Sequence, residues 1–150
     1  MPMPVNDAVV RALAIGPEST VADRTIGITT RGARTGLERR VEIWFHRVNA
    51  RWYLTGVPGR RSWYANLLAN PRFIVHLKHG VRADLPATAI PIVDEATRRR
   101  VLTEVLKEQD RAQTGGRVPR QYLDDWLAGS PLVEIVFDDQ ELRAAASAAG

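Results

Sequence analysis

The sequence predicts an α+β protein built on a small antiparallel β-barrel. Short segments in which apolar and polar residues alternate are joined by tight turns, without the regular strand–helix–strand succession of a parallel sheet. No Gly-x-Gly-x-x-Gly pattern is present, so a doubly wound dinucleotide-binding sheet fits poorly. At 150 residues the chain can bury a sizeable core, and residues 1–150 are expected to form a single domain.

Composition narrows the chemistry that the chain can perform. The absence of cysteine excludes disulfides, thiolate metal ligands and a cysteine nucleophile. The net charge of +4 permits an anionic partner, but aromatic and basic residues are not interleaved as in nucleic-acid-binding modules, so no nucleic acid is expected. No signal-peptide pattern and no bilayer-spanning apolar stretch is seen. A cytoplasmic location is therefore expected, with membrane-surface association left open and the chain either a monomer or a homodimer.

The first part of the chain is expected to hold a helix followed by strands. Asn6 or Asp7 can cap a helix over about residues 6–15, which the Gly16-Pro17 pair ends. Residues 25–30 are rich in β-branched side chains and predict a first strand. Apolar residues at 41, 43 and 45 alternate with their neighbours and predict a second strand, and residues 51–56 return as its hairpin partner.

The rest of the chain mixes helices and strands. Ser62 is expected to cap a helix that runs to Ala69 and stops at Asn70-Pro71. Two strands are predicted at residues 73–77 and 81–91, and a long helix from Asp94 to the glycines at 115 and 116. A shorter helix at 119–128 and a last strand at 131–137 follow. The alanine-rich residues 138–150 are expected to be a frayed helix or a loosely ordered tail.

The loop between the first two strands is the first candidate site. Residues 31–40 hold four arginines and two glycines. Glycine lets the backbone N–H groups approach an anion closely, and arginine side chains can clamp phosphate or carboxylate oxygens. The alternative is a solvated basic hairpin, which the loop alone fits about as well.

A second motif runs from Trp63 to Pro71, where the predicted helix begins beside a glycine-containing loop. The free N–H groups at such a helix start can hold an anion or a polarised carbonyl. Trp63 and Tyr64 offer flat surfaces for stacking against an aromatic ring. For Trp63 and Leu67 a place in the core is the favoured interpretation.

Taken together, the two motifs resemble the deazaflavin-dependent nitroreductase family. The resemblance rests on Thr29-Thr30-x-Gly32-x-Arg34-Thr35-Gly36-x-x-Arg39 and then Trp63-Tyr64-x-Asn66-Leu67-x-Ala69-Asn70-Pro71, and it covers about residues 28–77. It implies a split β-barrel of about six strands with peripheral helices, similar to the FMN-binding barrels of the pyridoxamine-phosphate-oxidase type. It also implies an enzyme that transfers a hydride from reduced coenzyme F-420 to a quinone, a nitroaromatic or an enone.

The resemblance also implies a set of cofactor-binding residues. Arg34 stands where the family has a lysine that holds the phosphate, and Arg39 matches the family's arginine. Ala33 and Glu38 depart from the family pattern, and Arg31 or Arg40 can compensate for the missing cation. The loop before the second motif is short and contains Pro58, which has no N–H for the ring, so FMN is the alternative cofactor. The expected cofactor-binding residues are Arg34, Thr35, Gly36, Arg39, Arg40, Val57, Gly59, Trp63 and Asn66.

The acceptor side is expected to involve aromatic residues. Tyr122 and Trp126 are four positions apart on the predicted short helix and share a face, and Trp44 lies on the second strand. These three are the expected substrate pocket. Tyr122, which falls where the family carries pocket tyrosines, is the candidate catalytic residue that orients or protonates an acceptor oxygen. A partly buried helix tyrosine is the alternative.

The histidines and the remaining function classes complete the prediction. His46 and His76 alternate with apolar strand positions and are expected to face solvent or a polar barrel mouth. With His79 they do not form a metal set, so no metal is expected, and no Ser-His-Asp arrangement is identified. The competing function is a non-catalytic protein that binds or carries a flavin, a deazaflavin or haem in the same barrel.

Overall fold

The computed structural model describes residues 6–111 and 120–148. Within them, six antiparallel strands close into a barrel in the order β1-β2-β3-β6-β5-β4, which confirms the predicted architecture. The strands are β1 Thr25–Arg31, β2 Glu38–Val48, β3 Arg51–Thr55, β4 Arg72–Leu77, β5 Ala83–Pro91 and β6 Leu132–Phe137. The helices are α1 Asp7–Leu13, α2 Val21–Arg24, α3 Ser62–Ala69, α4 Glu95–Arg111, α5 Arg120–Gly129 and α6 Gln140–Ala148.

Side-chain alternation decides which face of each strand fills the barrel. In β1, Ile26, Ile28 and Thr30 point inward and are almost fully buried, while Thr29 is half-buried on the outer face. A second core lies outside the barrel, where α4 and α5 pack against it around Leu102. The large buried side chains of the interior are Ile26, Ile28, Phe45, Trp52, Leu54, Val75, Ile135 and Phe137.

The helix starts agree with the sequence in two cases and differ in one. The Asn6 side chain accepts from the N–H groups of Ala8 and Val9, as predicted, and Asp94 accepts from the Thr97 N–H at the start of α4. The predicted Ser62 cap is wrong. Ser62 is the first helical residue, and Arg61 occupies the cap position without a side-chain hydrogen bond to the helix.

Two helices, α2 and α6, were not clearly predicted from the sequence. Helix α2 was not predicted, because its four residues are too few to show helical periodicity; a Thr20–Asp23 capping box forms it. Residues 140–148, where the sequence predicted either a frayed helix or a loosely ordered tail, form the helix α6. Leu142 and Ala146 are buried against the main core, so tertiary packing orders this helix. The predicted end of the long helix at glycines 115 and 116 lies outside the described residues. No described helix is long and apolar enough to cross a bilayer.

Candidate functional site

The β1–β2 hairpin holds the arginine loop in a closed turn. The Gly32 N–H donates to the Leu37 carbonyl at 2.8 Å, and the Gly36 N–H donates to the Gly32 carbonyl at 2.9 Å. Gly36 has a φ of 69°, a conformation that favours glycine. An added Cβ at Gly32 would lie 2.7 Å from the Thr35 hydroxyl oxygen, so the turn leaves no room there. Both glycines of the motif are thus required by the turn itself, and the Gly36 N–H is used within it.

Asn66 ties helix α3 to this hairpin. Its Oδ1 accepts from the Ala33 N–H at 2.9 Å, and its Nδ2 donates to the Thr30 hydroxyl at 3.1 Å. The side chain is 7% exposed, so these bonds are shielded from water. Asn70 adds a longer bond from its amide to the Arg31 carbonyl. Asn66 therefore lies at the predicted site, with its amide engaged in joining the two motifs.

A cavity of about 530 Å³ lies between the hairpin and the start of α3; we call it the arginine cavity. Among the described residues, no carboxylate lies within ion-pair distance of Arg34, Arg39 or Arg40. The start of α3 adds N–H groups without a side-chain cap. Uncompensated arginines beside an open helix N-terminus favour an anion. The cavity is lined by Thr30, Gly32, Ala33, Arg34, Thr35, Arg39, Arg40, Val41, Ser62, Trp63, Ala65 and Asn66.

A second cavity, of about 630 Å³, opens on the other side of the loop that precedes α3. Arg98 crosses its wall and donates to the carbonyls at the end of α5 and to that of Ser130. Gly59 lines this cavity, but its N–H donates to the Gly129 carbonyl at 3.1 Å and is thereby occupied. Val57 is 61% exposed. The two loop residues predicted to contact a ring therefore lie apart from the arginine cavity.

The three predicted acceptor-pocket residues are not brought together. Trp126 is 4% exposed, packs in the second core and is not among the residues that line either cavity above. Tyr122 is 55% exposed on α5 and is not among the residues that line either cavity above. Trp44 lies opposite Thr25, at the end of β1 away from the hairpin, with 37% of its surface exposed. On the helix face that they share, Trp126 is packed in a core and Tyr122 is exposed.

The prediction that His46 and His76 face solvent is wrong for both residues. His46 is 2% exposed, and burial together with the positive charge of Arg24 lowers its pKa from 6.5 to about 4. His76 is 8% exposed and hydrogen-bonded to neighbouring strands. Only His79 is exposed. No group of three metal-ligating side chains occurs within the part of the chain that the structure describes.

Comparison with known proteins identifies a sequence family. The profile of the F420H(2)-dependent quinone reductase family matches residues 7–120, about three quarters of the chain. No curated protein matches. The matched region contains the arginine hairpin, helix α3 and both motifs.

Solved structures with different cofactor descriptions share this fold. An FAD-binding protein from Mesorhizobium loti is 16% identical, with a TM-score of 0.58 and 91% of each chain covered. HutZ, the haem storage protein from Vibrio cholerae, is 12% identical, with a TM-score of 0.55 and coverage of 91% of this chain and 92% of that chain. A structure described as an F420 reductase is 13% identical, with a TM-score of 0.52, and covers 77% of this chain and 86% of its own. At these identities the likeness shows the fold alone, and the barrel by itself does not select a cofactor.

Proposed function

The chain belongs to the F420H(2)-dependent quinone reductase family, and we propose that it reduces a quinone, a nitroaromatic or an enone at the arginine cavity. As a member of that family it is a deazaflavin-dependent oxidoreductase that uses coenzyme F-420. When bound, the reduced coenzyme supplies the hydride. The protein therefore has to bind the coenzyme and the acceptor, orient them, and place positive charge beside their anionic groups. The absence of any cysteine nucleophile agrees with direct transfer.

The donor set of the arginine cavity fits a phosphate-bearing coenzyme. Its lining includes three arginines, none of which has a carboxylate within ion-pair distance among the described residues, and Ser62 and Trp63 at the start of α3. Arg34 and Arg39 are proposed to clamp the phosphate; Arg40 lines the same cavity, but its guanidinium extends along the outer face of the barrel to Gly27. This concentration of unpaired positive charge is the observation that carries the proposal.

Other residues of the cavity act on its shape. Asn66 holds the backbone of Ala33 against α3 and so fixes where the arginine loop stands relative to the helix start. Trp63 is 9% exposed yet lines the cavity, which is consistent with a wall that is also part of the core. Thr35 lines the cavity as well, and its hydroxyl accepts from the Leu37 N–H at 3.2 Å. Val57 and Gly59 remain a proposed contact to the ring through their loop, without the Gly59 N–H.

A paired titration tests this assignment. Quenching of the intrinsic fluorescence of oxidised coenzyme F-420 is measured for the wild type, Arg34→Ala, Arg39→Ala and Arg82→Ala, with FMN titrated in parallel. Each clamp variant is expected to weaken binding by about tenfold to hundredfold, which corresponds to the loss of one charge-assisted contact. Arg82 is exposed in the turn between β4 and β5, at the end of the barrel opposite the arginine hairpin. Arg82→Ala removes the same charge as the clamp variants, and its affinity for coenzyme F-420 is expected to stay at the wild-type value.

The outcomes separate the possible chemistries. Selective deazaflavin binding, followed by turnover with menadione or a nitroaromatic, supports the proposal. FMN binding alone keeps the barrel but replaces the chemistry with that of an ordinary flavin reductase. Tight binding of the deazaflavin without turnover across a broad acceptor panel indicates a carrier instead. Equal weakening by all three arginine variants would show a diffuse charge effect and would refute the clamp.

A further inference from the structure

Three side chains form a hydrogen-bonded chain across the outer face of the barrel. The Thr29 hydroxyl lies 2.6 Å from His76 Nε2, and His76 Nδ1 lies 2.6 Å from Asp84 Oδ1. The side chain of His76 is 10% exposed, whereas that of Asp84 is 77% exposed. A shielded imidazole thus joins a half-buried hydroxyl to a carboxylate in contact with water.

The strand register builds this chain from three separate strands. Gly27 of β1 lies opposite His76 of β4, and His76 in turn lies opposite Asp84 of β5. Thr29 is two residues from Gly27 and so shares its face. An ionised carboxylate only accepts hydrogen bonds, so the proton between Asp84 and His76 is on Nδ1. Nε2 can then accept from the Thr29 hydroxyl when the ring is neutral, or donate to it when the ring is an imidazolium.

Arg40 connects this chain to the arginine cavity. Arg40 lies directly opposite Thr29 in the β1–β2 ladder, and it lines the cavity. Its guanidinium lies over Gly27, because a Cβ added there would be 3.3 Å from both Nε and Nη2 and 3.4 Å from the His76 Cβ. The cation therefore sits beside His76 and Thr29. The other charged groups on this face are Glu42, opposite Gly27, and Lys78, which is paired with Glu42.

The arrangement suits proton transfer better than nucleophilic attack by the threonine. β1 is paired on both sides, with Arg40 and with Ile74 opposite Thr29. Its backbone N–H groups are committed to those ladders, so they cannot form the oxyanion hole that acyl transfer requires. An arginine beside the hydroxyl can instead stabilise an oxyanion that forms on a bound acceptor.

We propose that Thr29, His76 and Asp84 form the proton relay that completes reduction of a carbonyl-type acceptor, with Arg40 stabilising the acceptor oxygen. This inference rests on the function proposed above. Addition of the hydride to a quinone places two electrons on it and leaves a hydroquinone monoanion. The proton passes from the Thr29 hydroxyl to that oxygen, His76 Nε2 replaces the threonine proton, and the ring becomes neutral. Water that enters beside Thr29 when the hydroquinone leaves then returns one proton through the threonine hydroxyl to Nε2, while Nδ1 keeps its proton toward Asp84, and this closes the balance.

The relay replaces Tyr122 as the source of the proton. Tyr122 is 55% exposed on α5 and is not among the residues lining the arginine cavity. Thr29 does not line the cavity either, but Arg40 opposite it does, and the Arg40 guanidinium lies on the same face of the barrel as Thr29 and His76. Among outer-face neighbours, Ile74 opposite Thr29 is 36% exposed and offers apolar surface to a planar acceptor.

A kinetic test uses Thr29→Val, His76→Gln and the double variant, with menadione as acceptor. Valine keeps the branched shape that suits the strand and removes only the hydroxyl. Each single variant is expected to lower kcat by roughly tenfold to hundredfold, as for the loss of a positioned acid, with the KM for coenzyme F-420 unchanged. The double variant is expected to be no slower than the slower single variant, because both break one chain. His79→Gln, which removes an exposed histidine of the adjoining turn, should match the wild type.

A second measurement does not depend on turnover. A downfield, slowly exchanging imidazole proton in the NMR spectrum is expected for the wild type and for His79→Gln. It should be absent in His76→Gln and lost or shifted in Asp84→Asn. Adding menadione with oxidised coenzyme F-420 is expected to move this resonance in the wild type, because the acceptor would lie beside Thr29.

The outcomes distinguish the relay from the function on which it rests. A wild-type chain that turns over menadione while Thr29→Val and His76→Gln stay within about twofold of it overturns the relay alone. Loss of kcat in Tyr122→Phe with full activity in Thr29→Val does the same. An unmoved imidazole resonance on adding menadione also overturns the relay. A wild-type chain that neither binds the deazaflavin nor turns over refutes both proposals together.

Discussion

Lowering the pH from 7 to 5 is expected to destabilise the fold through His46. This side chain is 2% exposed, and its Nδ1 has no hydrogen-bond partner among the described residues. Burial, followed by the charge of Arg24, lowers its pKa from 6.5 to about 4. In the unfolded chain the imidazole takes up a proton near its ordinary value, so the unfolded state binds more protons throughout this window. The contribution of His46 to stability is therefore present above pH 6.5 and is lost as the pH falls.

The pKa difference sets the size of this effect. Each unit corresponds to about 1.4 kcal/mol, so the limit below both pKa values is about 3.4 kcal/mol. Between pH 7 and pH 5 the linkage relation gives a loss of about 2 kcal/mol in the free energy of unfolding. Urea denaturation at the two pH values, at constant ionic strength, measures this loss directly.

Other groups also titrate in this range, so the measurement needs a variant without the buried imidazole. In His46→Leu the fall between pH 7 and pH 5 is expected to be smaller than in the wild type by about 2 kcal/mol. His79→Gln removes an exposed histidine and should keep the wild-type difference. An equally large fall in His46→Leu and in the wild type would refute the assignment of the pH dependence to His46.

Three further substitutions test separate parts of the structure. Gly27→Ala is expected to displace the Arg40 guanidinium, which an added Cβ would approach to 3.3 Å, and so to raise the KM for menadione while the melting temperature changes little; steady-state kinetics and thermal melting check both. Asn66→Ala removes the bond that holds the Ala33 N–H to α3 and should lower the free energy of unfolding by about 1 kcal/mol and weaken coenzyme F-420 binding in a fluorescence titration; wild-type affinity would show that Asn66 does not position the site. Trp126→Ala should lower the free energy of unfolding, measured by urea denaturation, by about 3–5 kcal/mol and leave the affinity for the coenzyme unchanged. A large loss of affinity would show that Trp126 lines the binding pocket after all.

The strands were predictable because their signal is local. The alternation of apolar residues at 41, 43 and 45 reflects a strand with one face in the barrel, and turn residues separate it from its neighbours. For residues 138–150 the sequence left a frayed helix and a loose tail undecided, because an alanine-rich segment has weak apolar patterning. Its order comes from burial of Leu142 and Ala146 against residues distant in sequence.

The sequence predicted the basic part of the candidate site but not its aromatic part. The arginine hairpin and the start of α3 carry motifs of fixed spacing, and the structure places both on one cavity. The structure does not bring the predicted aromatic residues together in the same way. Tyr122 and Trp126 share a helix face in sequence, but Trp126 is in a core and no pattern distinguishes a buried tryptophan from a pocket wall.

The relay was invisible in the sequence because three strand pairings create it. Thr29, His76 and Asp84 are 47 and 8 residues apart along the chain, and no spacing rule relates them. Only the register of β1 with β4 and of β4 with β5 brings them into line. A single-residue slip in either pairing would turn the side chains of a strand to the opposite face.

Gly27 gives the strongest reason to consider the cavity and the relay as one site. A glycine inside a paired strand weakens it, since it adds backbone entropy to the unfolded chain and packs no side chain. Here the Arg40 guanidinium occupies the space that a side chain would fill, 3.3 Å from the position of an added Cβ and beside His76, and Arg40 also lines the cavity. A strand selected for stability alone would favour a β-branched residue at this position. The close approach of a cation to His76 supplies the physical reason for glycine, and it places the charge where an oxyanion on an acceptor would form.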